Sequence, residues 1–114
     1  MSFLKGVAAL ALLLAANSVS LHAAEAVTGR WAADPSGCSS FGSSPLIVTD
    51  SALRWYDDAC RIARMYKTGE TVHIQALCWS FAGERSVPVS LRPHGGLLAV
   101  TWDRARRGDL KRCR

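Results

Sequence analysis

The sequence predicts an all-β fold: a small antiparallel meander barrel of seven or eight strands, stapled by disulfides, after a helical signal peptide. Three observations predict it. Apolar and polar residues alternate at period two through most of residues 27–114, turn residues interrupt that alternation at short intervals, and no segment after the leader keeps i, i+3, i+4 apolar spacing. Closing the meander removes exposed sheet edges, which favours a barrel. With 114 residues, 49% hydrophobic and 20% charged, the chain has room for one domain. These values exclude a multidomain enzyme, a repeat array and a disordered chain.

Met1 to Ala26 reads as the signal peptide. Lys5 is its positive start, GVAALALLLAA from Gly6 to Ala16 is its apolar centre, and Ala24-Glu25-Ala26 is its A-x-A cleavage match. The apolar run is about half the roughly 20 residues a membrane span needs. A single domain, Val27–Arg114, remains, with no second apolar run to anchor it, and export to the periplasm or beyond is expected.

The strands follow in order. Val27–Ala33 is the first, stopped by Asp34-Pro35-Ser36-Gly37, and Leu46–Thr49 is the second, ended by Asp50-Ser51. Ala52–Tyr56 precedes a break at Asp57-Asp58. Cys60–Tyr66 then alternates, with Cys60, Ile62 and Arg64 on one side and Arg61, Ala63 and Met65 on the other. Lys67-Thr68-Gly69-Glu70 is a hairpin signal. Thr71–Phe81 puts Val72, Ile74, Ala76 and Cys78 on one face, with His73, Gln75, Leu77 and Trp79 opposite. After Ala82-Gly83-Glu84, Val87, Val89 and Leu91 share a face. Beyond Pro93-His94-Gly95-Gly96, Leu98, Val100 and Trp102 form the next inward set. Arg104–Gly108 reads as a basic loop and Leu110–Arg114 as a closing strand.

Cys38, Cys60, Cys78 and Cys113 all lie in the exported part, and an even count in a short secreted chain implies two disulfides. Their separations of 22, 18 and 35 positions do not resemble zinc-ligand spacing. Of the three possible connectivities, Cys38–Cys60 with Cys78–Cys113 is preferred, since each pair would clip neighbouring elements.

The chemistry-bearing residues are few. Beyond the leader only His73 and His94 remain, one inside a strand pattern and one near a hairpin tip. No phosphate-cradling loop, zinc motif or nucleophile elbow is present, so neither enzymatic activity nor a cofactor or metal is expected. Trp31, Trp79 and Trp102 fit the core; for Trp55-Tyr56, which straddles a turn beside Asp57-Asp58, the core is the first expectation and a role as exposed binding anchors the second. Arg104, Arg106, Arg107, Lys111, Arg112 and Arg114 form a basic C-terminal cluster, relieved by Asp109. Nucleic acid is a poor partner for an exported protein. An anionic envelope glycan or lipid, or an acidic protein groove, suits that cluster better.

Gly29-Arg30-Trp31, with Arg112 or Arg114 at the other end of the domain, resembles the calycin-type barrel, in which a first-strand G-x-W packs against an arginine from the end of the barrel. The layout from GRWAADPSGC through ALRWYDDACRI to LKRCR is similar to small secreted alphaproteobacterial proteins that include proposed periplasmic inhibitors of peptidoglycan hydrolases. That resemblance implies a protein partner, a cell-wall hydrolase such as a lysozyme or lytic transglycosylase, inhibited by a loop inserted into its cleft. It also implies that Pro93-His94 can act as a hook toward catalytic carboxylates. The Ser-Gly-x-x-Tyr motif of the membrane-linked lysozyme inhibitors is absent. The expected partner-binding residues are therefore His94, Trp55, Tyr56, Asp57 and Asp58. Alternatives are a protease inhibitor that uses the segment from Val27 onward, and an envelope protein that binds anionic glycan or lipid. The net charge of +5 repels basic lysozymes at long range, so a local acidic patch such as Asp57-Asp58 has to offset it.

Overall fold

The computed structural model describes residues 25–39 and 45–114; the expected leader lies outside them apart from Glu25 and Ala26. Eight strands form a closed antiparallel barrel in which each strand pairs with the next, and the first pairs with the last. They are β1 (Gly29–Ala32), β2 (Leu46–Val48), β3 (Ala52–Trp55), β4 (Asp58–Thr68), β5 (Thr71–Ser80), β6 (Gly83–His94), β7 (Leu97–Trp102) and β8 (Ala105–Arg112). The four-residue helix α1 (Pro35–Cys38) is an addition that alternation does not reveal. Asp34 caps it, accepting from the Ser36 and Gly37 amides at 3.0 and 3.3 Å and from the Ser36 hydroxyl. The same hydrogen bonds, led by that from the Ser36 hydroxyl, hold the Asp34 carboxyl below its usual pKa.

Period two places the core. Val72, Ile74, Ala76 and Cys78 from β5 meet Val87, Val89 and Leu91 from β6 and Leu98, Val100 and Trp102 from β7, all buried. These residues and the inward side chains of the other strands form one contiguous cluster, so side chains fill the barrel, as eight strands permit. No polar side chain is buried among the described residues. Each fully buried Leu, Val or Ile stabilises the fold by about 1.5–3 kcal/mol.

Four expectations need correction. The cysteines pair Cys38–Cys113 and Cys60–Cys78, in place of the preferred Cys38–Cys60 and Cys78–Cys113. Cys60 and Cys78 face each other directly across the β4–β5 ladder. Cys113 follows a strand that returns to β1, beside the segment holding Cys38. Strict alternation in β4 also fails: a bulge at Ala63 shifts the register between Ile62 and Arg64, so Met65 joins Ile62 against the core. Arg104–Gly108 is largely strand, because the turn is the two residues Asp103-Arg104 and β8 begins at Ala105. Finally, Trp79 points outward, 42% exposed and donating to Glu84 Oε2 at 2.6 Å, whereas Trp55 lies in the core, its first expectation, at 7% exposed.

One end of the barrel is capped. The guanidinium of Arg112, rather than of Arg114, lies 4.2 Å from the centre of the Trp31 ring and donates to the Thr28 carbonyl at 2.7 Å. Trp31 Nε1 donates to the Val27 carbonyl at 3.0 Å, and Val27 is itself fully buried. Gly29 has φ +140°, and a Cβ there would stand 2.6 Å from Arg112 Nη1. A bare backbone is what lets the arginine cross the tryptophan.

Candidate functional site

In a meander, successive hairpins alternate between the two ends of the barrel. The β3–β4, β5–β6 and β7–β8 turns (Tyr56-Asp57, Phe81-Ala82 and Asp103-Arg104) therefore gather at one end. The β2–β3, β4–β5 and β6–β7 turns gather at the other, the capped end.

The first set is chemically unusual. Tyr56, Asp103 and Arg104 have positive φ (52°, 54° and 69°), and they are the three non-glycine residues with positive φ among those described. Each costs about 1 kcal/mol or more relative to glycine. The turns of the capped end place Gly69, Gly95 and Gly96 at positive φ without that cost. Phe81, at the tip of the β5–β6 hairpin, is 96% exposed, and Tyr56 is 58% exposed.

Between these turns lies a cavity of about 410 Å³, lined by Trp55, Tyr56, Asp57, Asp58, Phe81 and Arg107 and floored by Trp102. Trp55 meets Trp102 edge to face at 5.4 Å, which fixes the floor, and lies 5.3 Å from Tyr56. The β-bulge in β8 lets Arg106 pair with Thr101 on the outer face while Arg107 lines the mouth. Arg85 pairs with Asp103 at 2.7 Å beside the rim, and that carboxylate raises the guanidinium pKa above its usual value.

Four of the five expected binding residues, Trp55, Tyr56, Asp57 and Asp58, are thus brought together. His94 is not among them. It ends β6 at the capped end, with Nε2 3.4 Å from Asp109 Oδ1. The chain matches no known family model, no curated protein and no solved structure. The site is therefore read from its own chemistry.

Sequence reasoning missed Phe81, Trp102 and Arg107 as site residues. A signal was present for Phe81: a large apolar residue next to Ala82-Gly83 between two alternating runs sits in a turn, where nothing covers it. No such signal marks Arg107, whose direction depends on a bulge. Among the described residues no group of three or more His, Cys, Asp or Glu could hold a metal ion, and no helix is long and apolar enough to cross a membrane. Two disulfides are compatible with an oxidising compartment.

Proposed function

We propose that the protein is a periplasmic, non-catalytic binding protein that inhibits a peptidoglycan hydrolase, a lysozyme or lytic transglycosylase, by inserting the Phe81 hairpin end into its cleft. The observation that carries this reading is the concentration of backbone strain and exposed aromatic surface at one end of an otherwise well-packed barrel. Strain persists where surrounding structure holds it and a function repays it. An exposed phenylalanine on a tight two-residue turn offers a large apolar anchor with few rotatable bonds. Tyr56 widens the contact, and Asp57 and Asp58 supply the acidic patch that a basic hydrolase surface attracts.

The protease-inhibitor alternative needs a free segment from Val27 onward. Val27 is buried and both it and Thr28 accept hydrogen bonds from the capping side chains, which favours the hairpin end. The test is residual activity of several lysozymes and lytic transglycosylases on cell walls, with the purified 27–114 domain present. Stoichiometric inhibition is expected, weakened about 30-fold or more by Phe81→Ser, the size of a hot-spot anchor. Absence of inhibition at micromolar excess across all of them rejects the reading.

A further inference from the structure

A second depression lies on the outer wall, running from the Thr101–Arg106 pair toward His94 at the capped end. It has a volume of about 290 Å³ and is lined by Thr71, Ser90, Arg92, His94, Thr101 and Arg106, with Ala99 among its walls. Strand register explains the composition. Ser90, Thr101 and Arg106 form one row across β6, β7 and β8, and Arg92, Ala99 and Asp109 form the next. Ala99 carries a single methyl group, so its position stays hollow beneath the longer side chains on either side.

No hydrogen bond or ion pair within the described residues occupies Arg92 or Arg106. Arg30 is tied to the Cys38 carbonyl, Arg85 to Asp103 and Arg112 to Thr28 and Trp31. Arg92 and Arg106 share their unpaired state with arginines such as Arg54 and Arg61 and differ from those in flanking one hollow. Asp109, the acidic residue of the Ala99 row, is directed to His94 and does not line the depression. The site therefore combines two unpaired guanidinium groups with three aliphatic hydroxyls, of which that of Ser90 also lies 3.4 Å from His73 Nδ1 and keeps capacity for a second partner. Planar guanidinium forks match tetrahedral oxyanions with paired hydrogen bonds, and hydroxyls both donate to and accept from sugar hydroxyls.

We propose that this groove binds a phosphorylated sugar, with Arg92 and Arg106 holding the phosphate and Thr71, Ser90 and Thr101 hydrogen-bonding the sugar. Bare positive charge would attract any anion. The hydroxyls around the hollow are what add a preference for the sugar ester over inorganic phosphate. The phosphosugar can be a free molecule or the headgroup of an envelope lipid.

The experiment is a ¹H–¹⁵N titration of the 27–114 domain at physiological salt with glucosamine 1-phosphate, inorganic phosphate and glucosamine. A parallel arm measures sedimentation with phosphatidylcholine vesicles with and without a lipid-linked phosphosugar. Glucosamine 1-phosphate is expected to move the Ser90, Ala99 and Thr101 amides and to bind at least tenfold tighter than either other probe. Arg92→Gln or Arg106→Gln should weaken it at least tenfold, while Arg54→Gln on β3 leaves it unchanged. Selective sedimentation with the loaded vesicles, lost in Arg92→Gln, assigns a lipid-borne ligand; binding of the soluble probe alone assigns a free one. Shifts scattered over all exposed arginines, equal binding of inorganic phosphate, or no binding in either arm overturns the proposal. Hydrolase inhibition should survive Arg92→Gln, so this site and the Phe81 end fail independently.

Discussion

The two ends of the barrel solve the same problem, reversing the chain between paired strands, with different residues. At the capped end glycines take the left-handed positions, and Arg112 is drawn across Trp31 to close the interior. At the other end Tyr56, Asp103 and Arg104 take such positions alongside one glycine, Gly83, Phe81 stands uncovered, and a cavity remains open above Trp102. One end has the residues that stability selects. The other keeps side chains that stability alone would replace, and that difference is the reason to seek function there.

The largest expected effect falls on the capped end. Trp31→Ala should cost about 3–5 kcal/mol, read as a lowered denaturation midpoint in urea, because it removes a buried aromatic and strands the Arg112 cap. Below its melting range the variant should still inhibit, since the Phe81 end is built by other hairpins. A loss of inhibition in the folded variant would merge the two ends into one unit.

An exchange of turn chemistry sharpens the contrast further. Tyr56→Gly should stabilise the fold by up to about 1 kcal/mol while weakening inhibition, because it relieves φ +52° and removes an exposed ring. Gly95→Ala, at φ +53° with open space around its Cβ position, should destabilise by about 1 kcal/mol and leave inhibition alone. Calorimetry beside the activity assay reads both. Stability and inhibition moving together in either variant would contradict the division.

The smallest effect belongs to neither end. The Asp34 carboxyl is held below its usual pKa by the Ser36 hydroxyl and the Gly37 amide, so its contribution to capping α1 is complete above about pH 4. It is lost only as pH falls through the lowered folded-state value. Asp34→Asn should remove that low-pH dependence, observed at the Gly37 amide by NMR, without altering either end.

Much of the barrel was legible because burial enforces period two wherever one face meets the core. Val72, Ile74, Ala76 and Cys78 faced inward as expected, and so did Val87, Val89 and Leu91. What escaped depends on long-range register. The Cys38–Cys113 bridge follows from β8 returning to β1, which no local pattern encodes. The Ala63 bulge and the aim of Arg107 depend on one extra residue in a ladder. Trp79 turned outward against expectation because hydrophobicity was weighed above the face it shares with His73, Gln75 and Leu77. The residues that line the cavity were legible as a group where they adjoin in sequence, at Trp55 to Asp58, and not where hairpins from distant segments converge, as with Phe81 and Arg107. His94 sits in a hairpin as read, but at the far end of the molecule.

The wall of this molecule is uneven around its circumference. Nine registered pairs join β4 to β5, and the buried Cys60–Cys78 bridge rivets them, whereas two registered pairs join β1 to β8, as few as in the β2–β3 ladder but without the tight turn that links those strands. The remaining bridge, Cys38–Cys113, sits beside that narrow seam. It therefore works as a clasp. With both cystines cut by a reductant, the cylinder should part first along the seam and peel open like a sleeve, leaving the broad β4–β5–β6 panel as the last region to surrender its amide protons.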